Sequence, residues 1–197
     1  MIDFPFSVYP KKLTYDGTQL HPTFAYKLAN GCANAVIFRG PMKVKITEMI
    51  DAEDVIKNDP IWSDDAINIV AELPFTNVVG AVALQRMMIR VIHDNLNGGI
   101  HLRVDGDDLI SGNYGSSDYR KYSVSIATQT AHSSLIHIGL NISAGKKAPS
   151  FAGDIPNIAS LPFVTDTDVM NFMCMIADEL RKEINSIYSA TLKVLPL

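Results

Sequence analysis

The sequence predicts an α+β fold: a mixed, mainly antiparallel sheet with helices packed against one face. Three observations predict it. Residues Lys121–Thr128 and Leu135–Ile142 each alternate apolar and polar with period two, as half-buried strands do, and the polar stretch Gln129–Ser134 between them suits a hairpin. Residues Ile67–Leu73 alternate in the same way. Two long stretches, about Asn77–Leu96 and Asp166–Ser189, instead carry apolar residues at helical spacing.

The chain has 197 residues, 47% hydrophobic and 19% charged, which is a globular composition. No internal repeat or linker stands out, so residues 1–197 are expected to form a single domain. The net charge of −4 makes nucleic acid an unsuitable partner for the surface as a whole. No apolar run spans a bilayer, and Met1–Phe6 lacks the basic start of a signal peptide. A cytoplasmic protein without membrane contact is the expectation. Cys32 and Cys174 then read as free thiols, Cys174 buried on its helix, and no Cys/His spacing calls for a structural metal.

In chain order, Met1–Leu13 holds two prolines and reads as an irregular arm. Tyr15–Leu20 is a turn built on Asp16-Gly17, followed by a helix from about Pro22 to Asn30 that Gly31 ends. Ala35–Phe38 is a short buried strand, broken by Arg39-Gly40-Pro41 and resuming at Met42–Ile46. Asp51–Ile56 is a short helix; its acidic residues have metal-ligand chemistry but suit a first helical turn better. Pro74 ends the strand from Ile67, and Thr76 is a plausible N-cap for the next helix. On that helix Val78, Ala81, Val82, Met88, Ile89, Ile92 and Leu96 make one apolar arc. Gln85 falls inside the arc and needs a partner, either a neighbouring loop or a pocket. Asn97-Gly98-Gly99 stops the helix.

Ile100–Val104 alternates again, Asp105–Asp108 is a tight acidic turn, and Leu109-Ile110 opens a further strand. Gly112–Arg120 is a polar loop leading into Lys121. Beyond the hairpin, Ser143–Asn157 is a long loop of the kind that often serves function. The final helix turns Val169, Phe172, Met173, Ile176, Leu180, Ile184 and Ile187 to one side, and Thr191–Leu195 could add an edge strand.

If both apolar hairpin faces share one core, the register pairs Lys121 with Asn141, Ser123 with Gly139 and Ser125 with His137. The other face then presents an amine, an imidazole and a carboxamide over small residues, a surface suited to a flat polar ligand. Gly139, central on that face, admits close approach. A merely solvated second face is the plainer alternative.

The order of elements, with Asp107-Asp108-Leu109-Ile110, Lys121–Ala127 and His137-Ile-Gly-Leu-Asn-Ile142, resembles biotin and lipoate protein ligases and the related octanoyl transferases. The similar stretch runs roughly from Asn77 to Ile142. The whole chain also resembles an uncharacterised prokaryotic family, DUF366, through Tyr15–Leu20, Phe38–Pro41, Asp51–Val55 and Lys121–Thr128. The ligase resemblance implies a class II aminoacyl-tRNA synthetase-like fold. It implies that Lys121 lies beside a reacting acyl or phosphate group, with Asp107, Asp108, Gly139, Asn141 and His137 around the ligand and Arg39 at the rim. ATP is a possible cofactor, and a small molecule and an acceptor protein are possible partners. The chain departs from the ligase pattern in three places. It has no glycine-rich nucleotide loop beyond Arg39-Gly40-Pro41. Asp107 stands where an asparagine is usual, and Cys174, on the apolar half of the last helix, is not assigned the nucleophile role that octanoyl transferases give a cysteine.

Overall fold

A computed structural model describes residues 3–58, 61–74, 77–96, 101–157, 163 and 165–194. Five strands form the main sheet in the order β1-β2-β3-β8-β7. These are β1 (Phe6–Tyr9), β2 (Ala35–Val44), β3 (Ile61–Pro74), β7 (Ser123–Gln129) and β8 (Ser133–Ser143). Only β1 runs parallel to its neighbour. A second, three-stranded sheet joins β4 (Arg103–Asp105), β5 (Asp108–Ser111) and β6 (Arg120–Lys121). The helices are α1 (Phe24–Leu28), α2 (Ala52–Lys57), α3 (Val78–Leu96) and α4 (Asp166–Thr191).

The period-two pattern sorts the main sheet into two faces. One face carries the row Ile37, Ile69, Ile138, set side by side by the register, with Ile67, Ala71, Ile136 and Leu140 around it. The long helices cover this face: α3 lies over β7 and β8, α4 over β1 and β2. Their buried stripes, Met88, Ile89 and Ile92 on α3 and Phe172, Ile176 and Leu180 on α4, are those the helical spacing predicts. Val78, at the start of the predicted arc, is exposed. Thr165 caps α4 with a reciprocal box to Asp168. Asn77 accepts from Gly80 N at the start of α3; the expected cap Thr76 and the stop at 97–99 lie outside the described residues.

The opposite face has a smaller core. Val36, Phe38, Met42, Ala66 and Val70 pack under Tyr15, Ala25 and neighbouring residues of the 13–29 segment. Glu72 ties α1 down, accepting from Thr23 N at 2.7 Å and from Ser133 Oγ at 2.7 Å.

Several expectations need correction. Residues 6–9 form the edge strand β1 and not an irregular arm; Pro5 and Pro10 flank it, where no ladder N–H is required. Gly40-Pro41 does not break β2. The strand passes through with a register shift between Gly40 and Met42, since the missing Cβ lets residue 13 cross directly over it. Thr191 ends α4, and 192–194 form no strand. Cys174 is exposed, as is Cys32. The hairpin register is offset by one residue: Ser123 faces Leu140, Val124 faces Gly139 and Ile126 faces His137.

The offset comes from Tyr122, which belongs to neither ladder. Its N–H donates to Leu109 O, its carbonyl accepts from Asn141 N, and its ring enters the helix-side core. Past this break the serines turn inward. Ser123 Oγ accepts from Leu109 N at 2.8 Å, and Ser125 Oγ meets Gln85 and Asp107. Alternation located the strand, but polar Ser123 is buried where an apolar residue was expected, because the second sheet supplies its hydrogen bond.

A Cβ at Gly40 would collide with the backbone carbonyl of Leu13. Gly40→Ala should therefore destabilise the protein by roughly 3 kcal/mol, read as a lower urea midpoint at unchanged slope.

Candidate functional site

The smaller core leaves part of its sheet face uncovered. There Val124 and Ile126 of β7 and His137 of β8 floor a cavity of about 870 Å³, a size common to small-molecule sites. Tyr15, Leu20 and Val44 continue the floor. One wall is the segment from Glu48 through α2; the other is the 114–121 stretch with Ser150 and Phe151. Neither α2 nor the 3-10 turn Ile46–Glu48 has a buried residue. Asp51 is not left over for a metal: it caps α2, accepting from the N–H groups of Glu53 and Asp54.

Lys121 borders the cavity. Its backbone is fixed on two sides, pairing with Ile110 of β5 and exchanging bonds with the 151–153 loop (N to Phe151 O 2.8 Å, O from Gly153 N 2.9 Å). The Nζ lies 2.8 Å from Asp108 Oδ2, with the two side chains only 28% and 26% exposed. Burial works against the lysine's charge, but the charge and hydrogen bond of Asp108 outweigh it, so its pKa is raised. Burial also pushes the Asp108 carboxyl up; Lys121 opposes this, while Asp107 and Asp105 add to the rise. The ammonium is thus held ionised beside a carboxylate that binds a proton more readily than usual.

Asp107 is held from below. Gly106, at φ 62°, makes the turn between β4 and β5. Gln85 Nε2 donates to Asp107 Oδ2 at 2.9 Å and to Ser125 Oγ at 2.6 Å. The glutamine inside the apolar arc of α3 therefore anchors the acidic turn at the cavity wall.

Lys121, Asp107, Asp108 and His137 border the cavity, but the other expected residues do not. Gly139 is on the same sheet face, yet the Met42 side chain occupies the space its missing Cβ leaves. The close approach is Met42's own. Asn141 is enclosed, its Oδ1 without a hydrogen-bond partner. Arg39 is not at the rim. It points to the helix side, where Asp65 binds it through Nε and Nη2 and Asp166 through Nη1. The strand parity that puts Phe38 on the cavity side puts Arg39 on the other.

His137 is fully enclosed by protein on its Nε2 side. Asn68 Nδ2 donates to Gly40 O, which turns Asn68 Oδ1 toward His137 Nε2 at 3.2 Å. Nε2 therefore carries the proton and Nδ1 is a lone pair. The Tyr15 ring stacks on the imidazole at 3.6 Å, parallel within 5°. Tyr15 is not among the site residues the sequence points to, because Tyr15–Leu20 reads as a turn before a helix and as a family motif; an aromatic beside Asp-Gly was the available signal.

The family described as Domain of unknown function (DUF366) matches residues 5–195, and the chain belongs to it. An uncharacterized protein of Methanocaldococcus jannaschii is 30% identical over 193 residues, covering 94% of this chain and 82% of that protein. A solved protein of unknown function from Pyrococcus horikoshi superposes with a TM-score of 0.80 at 28% identity, covering 98% and 99% of the two chains. The biotin protein ligase of Aquifex aeolicus, solved with biotin and ATP, gives a TM-score of 0.53 at 12% identity, covering 90% and 71%. That likeness shows a shared fold, the class II synthetase-like one that the motifs imply. Among the described residues no helix is long and apolar enough to cross a membrane.

Burial lowers the His137 pKa to about 3. The unfolded chain binds this proton near pH 6.5 and the folded one does not, so stability is lost as pH falls from about 6.5 toward 3. The loss from this group should reach roughly 3 kcal/mol by pH 4, and His137→Phe should flatten that limb in pH-dependent urea titrations.

Proposed function

We propose that this protein acts on a small ligand bearing a carboxylate, free or activated, as a relative of the biotin and lipoate ligases and acyltransferases. Lys121 is its electrostatic stabiliser. The observation that carries this reading is the position of the Lys121 ammonium. It is backbone-locked, largely desolvated and kept ionised at the edge of a cavity floored by Val124 and Ile126. A fixed charge in a poorly solvated site stabilises negative charge on an acyl or phosphoryl oxygen without reorganising. The apolar floor suits the carbon chain of the same ligand. Asp108 serves as the resident counter-ion: an arriving carboxylate competes with it for the ammonium, and its raised pKa eases the exchange by proton uptake.

A binding protein that performs no transfer is the second reading, and Arg39 favours it. The arginine that the ligase resemblance would assign to a nucleotide is occupied by Asp65 and Asp166 on the other face of the sheet. An acceptor protein belongs to the catalytic reading only.

A thermal-shift screen against carboxylic acids including biotin and lipoate, acyl-adenylate analogues and ATP separates the two. Ligands that bind the folded state raise the melting temperature with occupancy. At least one carboxylate or acyl-adenylate analogue should stabilise the wild type, and Lys121→Met should abolish that shift. Paired with Asp108→Asn, to avoid an orphaned carboxylate, the variant should keep the fold. In the catalytic reading Lys121→Met also lowers turnover by roughly a hundredfold or more, and Lys121→Arg restores only part of it, because a planar fork does not replace a point charge. Turnover and ligand stabilisation that are unchanged in Lys121→Met would remove the lysine from the site.

A further inference from the structure

The cavity floor holds a second polar group, separate from Lys121. Tyr15 and His137 are each 97% buried, both line the cavity, and they stack ring on ring. Asn68 uses His137 Nε2, which leaves Nδ1 as an acceptor with no protein partner. The Tyr15 hydroxyl likewise has no protein hydrogen bond among the described residues. Neither atom is among the fully enclosed polar atoms that lack partners, which are Ser134 Oγ and Asn141 Oδ1. Both therefore keep contact with open space, and the open space these side chains border is the cavity. A buried hydroxyl and a buried imidazole nitrogen without partners are costly, and such groups call for an explanation.

We infer that the stacked Tyr15–His137 pair is a subsite for an uncharged polar group carrying both a hydrogen-bond donor and an acceptor, a terminal carboxamide being the simplest. Tyr15 Oη donates to the acceptor and His137 Nδ1 takes the donor's hydrogen. The inference rests on the proposed carboxylate site at Lys121 and adds the ligand's other end. A second anionic group is unsuited to this end: the imidazole is neutral and offers a lone pair, and the Glu48–Lys57 wall carries Glu48, Asp51, Glu53 and Asp54 against one cation, Lys57, which Glu53 binds. Lys121 on β6 and Ile126 on β7, the cross-strand partner of His137, lie on the two sides of the Tyr122 break. Val124 and Ile126 floor the cavity from Lys121 to His137. The ligand class is therefore a two-headed chain: an acid group at Lys121, an apolar middle over the two β-branched side chains, and a neutral donor–acceptor head on the stacked rings.

Calorimetric titration of the full chain tests the inference with three series of straight-chain probes from hexanoic to dodecanoic length. These are methyl-ended acids, acids with a terminal carboxamide, and bis-amides. At some chain length the carboxamide acid should bind roughly tenfold tighter than its methyl-ended counterpart, the worth of two neutral hydrogen bonds. Tyr15→Phe should erase most of that preference, and should raise the melting temperature of the ligand-free protein because the hydroxyl it removes has no partner. Methyl-ended acids that bind through Lys121 as tightly as the carboxamides would overturn the subsite and leave the carboxylate site standing. Bis-amides that bind through Tyr15, with acids indifferent to Lys121→Met, would do the reverse. No binding by any carboxamide, or a ligand-free Tyr15→Phe that melts lower than wild type, also overturns the inference.

Discussion

The arrangement of the site depends on one break in a strand. Tyr122 leaves the ladder between β6 and β7, donates its N–H to Leu109 O and buries its ring beneath the helices. Had the strand run on unbroken, period two would have set Lys121 and Ser125 on one face and Tyr122 and Val124 on the other. The break resets the phase. Lys121 and Val124 then border the same cavity, while Tyr122 and Ser123 face inward. Ser123 and Leu109 bond across the junction at 2.8 Å, so the small sheet is locked to the large one where the phase changes. Asp108, Lys121's partner, arrives on that small sheet.

Much of the fold was legible because burial on the helix face is apolar and periodic. The Ile67–Leu73 strand, both long helices and the Asp105–Asp108 turn follow from spacing and turn chemistry alone. The hairpin was legible as an element and misread in register. Its rule assumed that apolar side chains share the core, whereas Ser123 is buried by its hydrogen bond to Leu109, Ser125 is tied to Gln85 and Asp107, and Val124 and Ile126 are left to floor the cavity. Arg39 shows a similar limit. A Gly-Pro pair beside it reads as a turn at a strand end, but here it is a bulge within β2 that residue 13 crosses, so the strand runs on and Arg39, before the bulge, keeps the ordinary parity that turns it to the helix side. Long-range crossings of that kind leave no local periodicity.

The site residues divide by the same logic. Lys121, Asp107 and Asp108 were legible because two short motifs place them at adjoining strand ends. Gly139 and Asn141 share their motif but not the cavity, because Met42 covers the glycine and the sheet encloses the asparagine. Tyr15 contributes to the floor from a segment that shows no strand or helix pattern. Gln85 was legible only as an anomaly, a polar residue in an apolar arc, and the structure accounts for it through Asp107 and Ser125.

Charge placement then separates the two faces of the sheet. On the helix side Arg39 is held between Asp65 and Asp166, joining β2, β3 and the start of α4, and its work is structural. On the other side the Lys121–Asp108 ion pair sits at one end of a neutral floor. A charge already satisfied by two carboxylates has little attraction left for a ligand, whereas one held by a carboxylate inclined to protonate can exchange its partner. The Tyr15–His137 pair at the other end has no protein group to exchange. Tyr15 belongs to the smaller core and stacks on His137, and both side chains border the cavity. The helix-covered face therefore carries the packing that holds the sheet together, and the opposite face can leave polar groups unmatched at a cost the first face offsets.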